Sequence, residues 1–282
     1  MTVNGEIINF PTSDGIMLDG FLQRPKNPKP AVVIHVHGMG GSFYSSRSLQ
    51  IGKNLANARI PFFSINTRGH DLSAWFNKKD GSHGPMIGTI RERFEDSLID
   101  VDAAIKTMQH SYKNAQIFLS GHSTGCQKIT YYALMEHAQG LILLAPGDDN
   151  LMLKTELGGK FNQTYRKAIS LKSAGKQDEI LPEVFPGITV NRFLSLTHPD
   201  SPEGLLFNYA KRLPYLKHLN TPVLAILGKK DPSTAPASKS LKLLKQQIKS
   251  EFKGVILDTD HSLATKETKI SQLILKFIAE HS

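Results

Sequence analysis

The chain has 282 residues, 40% of them hydrophobic, which suffices for one large core or for a core domain with an insertion. No apolar run approaches the ~20 residues of a membrane span, and the opening MTVNGEIINF lacks a secretory signal pattern, so we expect a cytoplasmic protein without a membrane partner. The formal charge is +9, but the lysines in SKSLKLLKQQIKS alternate with leucines as on a solvated helix face. No nucleic-acid motif is present, so we expect no nucleic-acid partner. The single cysteine, Cys126, excludes an intrachain disulfide.

Strands and helices alternate along most of the chain. Two short amino-terminal strands, joined by a turn at Ser13-Asp14-Gly15, predict a hairpin over residues 6–23. The later apolar, β-prone runs predict buried strands, and apolar spacings of three and four predict helices. The further strands are predicted at 31–36, 61–65, 117–119, 141–144, 223–227 and 255–257. The helices are predicted at 42–58, with Ser42 as N-cap, at 89–110 and at 266–278.

This alternation predicts an α/β fold with a mostly parallel central sheet flanked by helices. Between Pro146 and Thr221 the alternation stops, and the segment is polar and proline-rich with no obvious buried strand. Such a stretch is too long for a loop in a compact domain. We therefore expect a core domain of residues 1–146 and 211–282, with a helical cap of residues 147–210 inserted after the sixth strand.

The stretch GHSTG, residues 121–125, lies between an apolar strand and residues that suit a helix. It matches G-x-S-x-G, a tight turn that exposes a serine oxygen at the end of a strand, and Ser123 is the candidate nucleophile. Gly121 and Gly125 supply the small residues that such a turn needs where strand and helix nearly collide. A motif of five loosely constrained positions can match by chance, so the surrounding sequence has to show whether this match marks a nucleophilic serine.

In parallel sheets of this type, ligands bind at the carboxyl ends of the strands. Ser123, Asp231 and His261 all follow predicted strands, in the order of a Ser-Asp-His triad. His261 would act as general base and then general acid, and Asp231 would fix the tautomer of its imidazole. The loop HGMGG after the strand 31–36 would aim backbone N–H groups at the substrate, so Met39 and Thr124 are the predicted oxyanion-hole donors.

Other residues compete for these roles by residue type. The alternative acids are Asp148, Asp149, Asp258 and Asp260, and the alternative histidines are His35, His37, His70, His83 and His122. None of those histidines follows the predicted acid in the chain. His35 and His37 share a strand face, but no further metal ligands stand at a recognisable spacing, so we expect no metal.

Three further groups near the predicted strand ends have open roles. Residues 68–71, RGHD, suit a structural turn near the site. Asp148 and Asp149 could contact substrate or simply begin a helix of the cap. Trp75 and Phe76 could line the pocket or anchor a loop.

The motifs GHSTG, HGMGGS, NTRGHDLS, LGKKDP and TDHSL together resemble the α/β-hydrolase superfamily, in its esterase and serine-peptidase-like branches. GHSTGCQ and FEDSLIDVDAAI are similar to a hydrolase family related to fungal siderophore-ester hydrolases. The resemblance covers nearly the whole chain outside the predicted cap. It implies the α/β-hydrolase fold and a triad of Ser123, Asp231 and His261.

The sequence therefore predicts a serine hydrolase that cleaves carboxylic esters of small or medium acyl chains through an acyl-enzyme. Its partners would be an acyl substrate and water, without an organic cofactor. Amide or peptide, lactone and thioester hydrolysis use the same triad, and a binding protein without turnover uses the same fold. A dehalogenase would need an aspartate at position 123. The oligomeric state cannot be derived from the sequence.

Overall fold

The computed structural model describes residues 3–234 and 236–282, which form an α/β structure around one large sheet. Within these residues the large sheet has eight strands in the order β1-β2-β4-β3-β7-β8-β11-β12. Its strands are β1 (Glu6–Pro11), β2 (Met17–Gln23), β3 (Ala31–Val36), β4 (Phe62–Ile65), β7 (Gln116–His122), β8 (Gly140–Leu144), β11 (Val223–Gly228) and β12 (Phe252–Leu257). Two small hairpins pair β5 (Trp75–Asn77) with β6 (His83–Met86) and β9 (Ile180–Leu181) with β10 (Ile188–Thr189). The helices are α1 (Ser46–Asn57), α2 (Ser97–Ser111), α3 (Thr124–Met135), α4 (Asp149–Leu157), α5 (Phe161–Ser173), α6 (Val190–Thr197), α7 (Pro202–Leu206), α8 (Ala237–Gln247) and α9 (Glu267–His281).

The sheet is antiparallel only at its amino-terminal edge. Strands β1 and β2 form the predicted hairpin, and β2 pairs antiparallel with β4, whereas the pairings from β4 through β12 are parallel. Strands β3, β7, β8 and β11 are almost wholly buried because helices cover both of their faces. The register sets Val36 opposite Gly121, which brings the carboxyl ends of β3 and β7 together.

The two faces of the sheet carry separate apolar clusters. Side chains of α2, α3 and α8 pack on one face, and side chains of α1 and α9 pack on the other. Ile51 and Leu55 of α1 and Ile274 of α9 are examples of the second group, each at most 1% exposed. This arrangement confirms the predicted mostly parallel sheet flanked by helices.

Residues 147–210 contain α4 to α7 and have an apolar cluster of their own. Its members include Leu153 of α4, Ala168 of α5 and Phe193 of α6. The expectation of no buried strand in this segment was wrong, because β9 and β10 form a small hairpin and both residues of β10 are buried. Strands of two residues are too short to produce a periodic pattern, so the sequence carries no sign of them.

Two predicted helix starts also need correction. Helix α1 has Ser45 as its N-cap, not Ser42, and the Ser45 hydroxyl accepts from the Ser48 N–H at 3.2 Å. Helix α2 begins at Ser97 after a 3-10 turn, whereas the sequence predicted a helix from Thr89. Among the described residues no helix is long and apolar enough to cross a membrane.

Candidate active site

The turn between β7 and α3 holds Ser123 in a conformation that side chains rarely adopt. Its φ is 53° and its ψ is −126°, and its N–H donates to the Leu144 carbonyl at 3.0 Å. A Cβ on Gly121 would come within 2.4 Å of the Gly125 carbonyl carbon, and one on Gly125 within 2.3 Å of the Val36 carbonyl oxygen. Only glycine fits at either position. A strained residue of this kind costs about 1–3 kcal/mol, which the surrounding packing must offset.

The side chains of Ser123, His261 and Asp231 form a continuous hydrogen-bonded relay. His261 Nε2 lies 2.9 Å from Ser123 Oγ, and His261 Nδ1 lies 2.8 Å from Asp231 Oδ2. The Asp231 carboxylate is wholly buried, whereas the His261 side chain is about one-third exposed. Asp231 follows β11 and His261 follows β12, so neighbouring parallel strands deliver both groups to one edge of the sheet.

Ser233 supplies two hydrogen bonds to the Asp231 carboxylate. Its N–H and its Oγ–H both donate to Asp231 Oδ1, at 2.8 and 2.6 Å, which leaves Oδ2 for His261. The Ser233 hydroxyl also lies 3.2 Å from His261 Nδ1. Ser233 was not singled out from the sequence, although an aspartate side chain in a turn commonly accepts from the N–H two residues further on, as Asp231 does here.

The competing acids lie elsewhere or serve other groups. Asp258 is exposed and pairs with Lys230 at 3.1 Å, and exposed Asp260 accepts from the Ser262 N–H at 2.9 Å. Asp148 is the N-cap of α4 and accepts from the Leu151 N–H at 2.9 Å. None of these carboxylates hydrogen-bonds to His261 among the described residues.

His122 contacts the proposed base without being one. Its Nε2–H donates to the backbone carbonyl of His261 at 2.9 Å, and the two rings stand 5.1 Å apart. Burial holds the pKa of His122 well below its ordinary value, so the ring is neutral. The residue inside the motif therefore braces the loop that carries His261.

His35 and His37 are both committed to neighbouring groups. His35 Nδ1 lies 3.0 Å from the Ser120 hydroxyl, and His37 Nδ1–H donates to the Gly38 carbonyl at 2.8 Å. His37 Nε2 accepts from the Thr67 N–H at 3.2 Å. Burial lowers the pKa of each ring to about 3. No group of three or more potential metal ligands occurs in the described part of the chain.

The glycine-rich loop after β3 packs directly against Ser123. A Cβ on Gly38 would lie 2.9 Å from Ser123 Cβ, and the Gly41 N–H donates to the Gly38 carbonyl at 3.0 Å. Within residues 3–234 and 236–282, no acceptor takes a hydrogen bond from the N–H of Met39 or of Thr124. Both predicted oxyanion donors are thus unoccupied by the protein itself.

A cavity of about 260 Å³ opens beside Ser123 and His261. It is lined by the loop 37–42, by Ser45 and Arg47 at the start of α1, and by His122. No residue of 147–210 is among its lining residues. Trp75 is absent from this lining too, and its side chain is 74% exposed on β5, whereas neighbouring Phe76 is buried against His70.

Behind the turn between β7 and α3 that carries Ser123, here called the elbow, lies a buried ionic network that was not predicted from the sequence. Lys128 Nζ contacts Glu92 Oε1 and donates to Thr67 Oγ1 at 3.1 Å, and Glu92 Oε2 lies 3.5 Å from Arg192. Arg192, from α6, also pairs with Glu203 of α7. Burial alone would raise the pKa of Glu92, but Lys128 and Arg192 outweigh it and lower that pKa.

Asp149 lies close enough to this network for its charge state to matter. Its Oδ2 accepts from Gln127 Nε2 at 2.6 Å, and burial, with the Glu203 carboxylate next, raises its pKa well above the ordinary value. The two cations of the network, Lys128 and Arg192, have Glu92 and Glu203 as their carboxylate partners. The network therefore joins the elbow helix α3 to α6 and α7 of residues 147–210.

The RGHD turn is structural, as one of the sequence interpretations proposed. The Arg68 guanidinium bonds to Asp100 at 2.7 Å and to Asp14 at 2.8 Å, and its side chain is 3% exposed. Its N–H also donates to Asp100 at 2.8 Å. These contacts fasten the turn after β4 to α2 and to the amino-terminal hairpin.

A serine on a strained strand-to-helix turn, bonded to a histidine that follows the last strand of a mostly parallel sheet, defines a hydrolase of the α/β-hydrolase fold. The chain belongs to the serine aminopeptidase S33 family, whose model matches residues 27–175, more than half of its length. A comparison with proteins of curated function finds no significant match.

Many solved structures share the fold at low sequence identity. The siderophore hydrolase EstB from Aspergillus fumigatus is 16% identical, with a TM-score of 0.72 over 100% of this chain and 99% of that one. A thermostable carboxyl esterase from Bacillus coagulans is 16% identical, with a TM-score of 0.72 over 99% of each chain. Est1E from Butyrivibrio proteoclasticus, solved with ferulic acid, is 18% identical, with a TM-score of 0.68 over 96% of this chain and 98% of that one. At these identities the likeness establishes the fold alone.

Proposed function

We propose that this chain is a serine hydrolase that cleaves carboxylic esters with small or medium acyl groups. The observation that carries the proposal is the relay from Asp231 through His261 to Ser123, with both distances at ordinary hydrogen-bond length, beside an open cavity. A serine hydroxyl needs such a base to become a nucleophile at neutral pH. Several of the structural neighbours are named as esterases, and that naming supports the choice of ester over other acyl bonds.

In the first half-reaction the Ser123 oxygen attacks the ester carbonyl carbon while its proton passes to His261 Nε2. The carbonyl oxygen takes the negative charge, and the N–H groups of Met39 and Thr124 are the proposed donors to it. The tetrahedral intermediate collapses, His261 gives its proton to the departing alkoxide, and the alcohol leaves. Ser123 then carries the acyl group.

In the second half-reaction water takes the place of the alcohol. His261 removes a proton from the water as it attacks the acyl carbon, and then returns that proton to the Ser123 oxygen as the acid leaves. Asp231 stays ionised and stabilises the imidazolium that forms in each half-reaction. The side chains and backbone thus supply nucleophile, proton carrier and charge stabilisation without an organic cofactor.

The size of the cavity supports a small group next to the scissile bond. Its volume of about 260 Å³ lies just below the range of typical ligand sites, ~300–1,000 Å³. A short acyl chain fits this space, whereas a long one would have to extend beyond it. We propose that residues 147–210 form the predicted cap over the core of residues 1–146 and 211–282, where they would contact only the parts of a substrate outside the cavity.

Cleavage of an amino-terminal peptide bond, which the family name suggests, is disfavoured by the charge of the cavity. An aminopeptidase must hold the substrate's α-ammonium group, for which a carboxylate is the ordinary partner. The described lining contains no Asp or Glu, and its charged residue is Arg47. A lactone or a thioester would be cleaved by the same triad. To separate amide from ester hydrolysis, the turnover of a p-nitrophenyl ester is compared with that of the p-nitroanilide of the same acyl group.

The first experiment is intact-mass labelling with a fluorophosphonate, which reacts with activated serines. One adduct is expected on the wild type and none on Ser123→Ala. Ser42→Ala is the matched control, because Ser42 lines the same cavity but no described histidine hydrogen-bonds to its hydroxyl. It should label like the wild type. A folded wild type that takes no adduct would favour a binding protein over a hydrolase.

A further inference from the structure

Arg47 places a guanidinium in the wall of the cavity that also contains Ser123 and His261. Its Nη1–H donates to the backbone carbonyl of Ser262, the residue after the proposed base. Among the described residues no carboxylate lies within ion-pair distance of it, and no hydrogen bond uses its Nη2 group. Its Nε is buried without a partner. A cation whose donors are not all used therefore lines the space where a substrate would react.

The position of Arg47 runs against the ordinary preference of helix ends. It stands in the first turn of α1, where the helix dipole is positive and where acidic residues are favoured, and that turn contains none. Burial lowers the pKa of Arg47 to about 10, with Glu267 opposing that effect, so the group still carries its charge at neutral pH. A partly buried guanidinium with no carboxylate in ion-pair contact is stabilised when an anion joins it.

We propose that Arg47 recognises a carboxylate on the substrate, so that the preferred substrates are esters bearing a second, free carboxylate close to the scissile bond. This inference rests on the proposed ester hydrolysis at Ser123. A guanidinium pairs with carboxylates through charge-assisted hydrogen bonds, which are roughly twice as strong as neutral ones. Arg47 is the one Lys or Arg in the described lining, so a carboxylate monoanion matches its charge, whereas a phosphate dianion would leave a charge uncompensated.

The test uses two matched pairs of esters, because the carboxylate could lie on either side of the scissile bond. Mono-p-nitrophenyl glutarate and p-nitrophenyl valerate have acyl chains of equal length and differ in a terminal carboxylate. In the second pair, 3-acetoxybenzoate and phenyl acetate, the carboxylate is on the leaving group. The Ser123→Ala protein gives the background for each ester, including the self-catalysed hydrolysis of the glutarate.

In at least one pair the wild type should prefer the charged ester by about 10- to 100-fold in kcat/KM, the value of one hydrogen bond to a charged group. Arg47→Met should remove that preference by lowering kcat/KM far more for the charged ester than for the neutral one, and Arg47→Lys should keep part of the preference. The loss should appear mainly in KM, because the carboxylate lies away from the reacting carbon and binds equally in ground and transition states.

Three results would overturn the inference. One is a wild type that hydrolyses both members of each pair equally well. Another is an Arg47→Met protein whose kcat/KM falls by the same factor on the charged and the neutral ester. Arg47 would then have only a structural role, in which it holds the loop of His261 through the Ser262 carbonyl. A wild type that takes the fluorophosphonate on Ser123 but cleaves none of these esters would refute carboxylate recognition and leave the nucleophile intact. If Ser123 is not labelled either, the proposed function fails along with it. Should Arg47→Met not fold, the wild-type preference and Arg47→Lys still decide.

Discussion

Replacing Asp231 with asparagine tests the proposed relay with almost no change in shape. The Asp231 carboxylate has two oxygens with different partners: Oδ1 accepts from the N–H and the hydroxyl of Ser233, and Oδ2 lies 2.8 Å from His261 Nδ1. The Ser233 N–H is fixed in the backbone and demands an acceptor. In Asp231→Asn the amide oxygen will therefore take the Oδ1 position, and the amide NH₂ will face His261.

An NH₂ group facing Nδ1 reverses the proton arrangement of the imidazole. Nδ1 must then present its lone pair, so the ring proton moves to Nε2 and points at Ser123. Nε2 can no longer accept the serine proton, and no ionised carboxylate remains to stabilise an imidazolium. The same change of tautomer in a serine protease triad lowers kcat about 10⁴-fold, and we expect a loss of that order, equivalent to about 5 kcal/mol in the activation barrier.

The assay is kcat on an ester that the wild type cleaves, with urea unfolding to show that the fold is kept. Asp260→Asn and Asp258→Asn are matched controls, since both carboxylates are near in the chain but exposed and bonded elsewhere. Each should stay within about twofold of the wild type, the size of effect expected of exposed charges. If Asp231→Asn retained more than a tenth of wild-type kcat, the assignment of the acid would be wrong. A severe loss in Asp260→Asn would move the role to that carboxylate.

Three further predictions concern stability and are measured by urea unfolding. Lys128→Met should lower the free energy of unfolding by about 3–5 kcal/mol because it strands the buried Glu92 carboxylate, and adding Glu92→Gln should restore part of that loss. If the losses in the free energy of unfolding from Lys128→Met and Glu92→Gln simply add in the double variant, the proposed interaction between the two residues is wrong. The pKa of His35 is about 3 in the folded protein and ~6.5 in the unfolded chain. Between these two pH values only the unfolded chain binds a proton at His35, so the free energy of unfolding decreases as the pH is lowered. His35 should account for a fall of about 2 kcal/mol in the free energy of unfolding between pH 7 and pH 5. His35→Gln should remove that part of the fall, and a variant whose free energy of unfolding changes with pH as in the wild type would contradict the prediction. Gly125→Ala should destabilise by at least about 1–3 kcal/mol because its Cβ would meet the Val36 carbonyl oxygen at 2.3 Å, and a neutral result would refute the close approach.

The sequence was sufficient for the fold because the signals were local and repeated. Apolar runs such as 31–36 and 141–144 mark buried strands, and the elbow marks where a strand turns into a helix. The choice of Ser123, Asp231 and His261 then follows from the rule that functional groups stand at the carboxyl ends of parallel strands, together with the chain order Ser-Asp-His. Their catalytic roles stay predictions until the labelling and kinetic experiments are done.

The errors fall where neighbouring residues offer equivalent local signals. The run SFYSS at the start of α1 contains three serines, each a good N-cap. The Phe43 N–H donates to Asn66 and the Phe43 carbonyl accepts from Ser64, and the helix takes Ser45 rather than Ser42 as its N-cap. Residues from Thr89 to Phe94 resemble a helix start, yet Glu92 is held instead by Lys128 and Arg192 in the buried network. Tertiary contacts override local preference in both places.

The buried network and Arg47 depend on contacts between residues far apart in the chain, so no window of sequence could reveal them. Lys128 and Glu203 reach a common network only after α3, α6 and α7 have packed, and each reads in sequence as an ordinary surface charge. For Arg47 the sequence contained one local indication of an unusual role, because a cation stands in the first turn of a helix, where anions are preferred. A charge that local physics disfavours must be stabilised by something outside its own segment. For the network the stabilising groups are opposite charges within the protein. For Arg47, which has no carboxylate in ion-pair contact among the described residues, we assign that role to a carboxylate of the substrate.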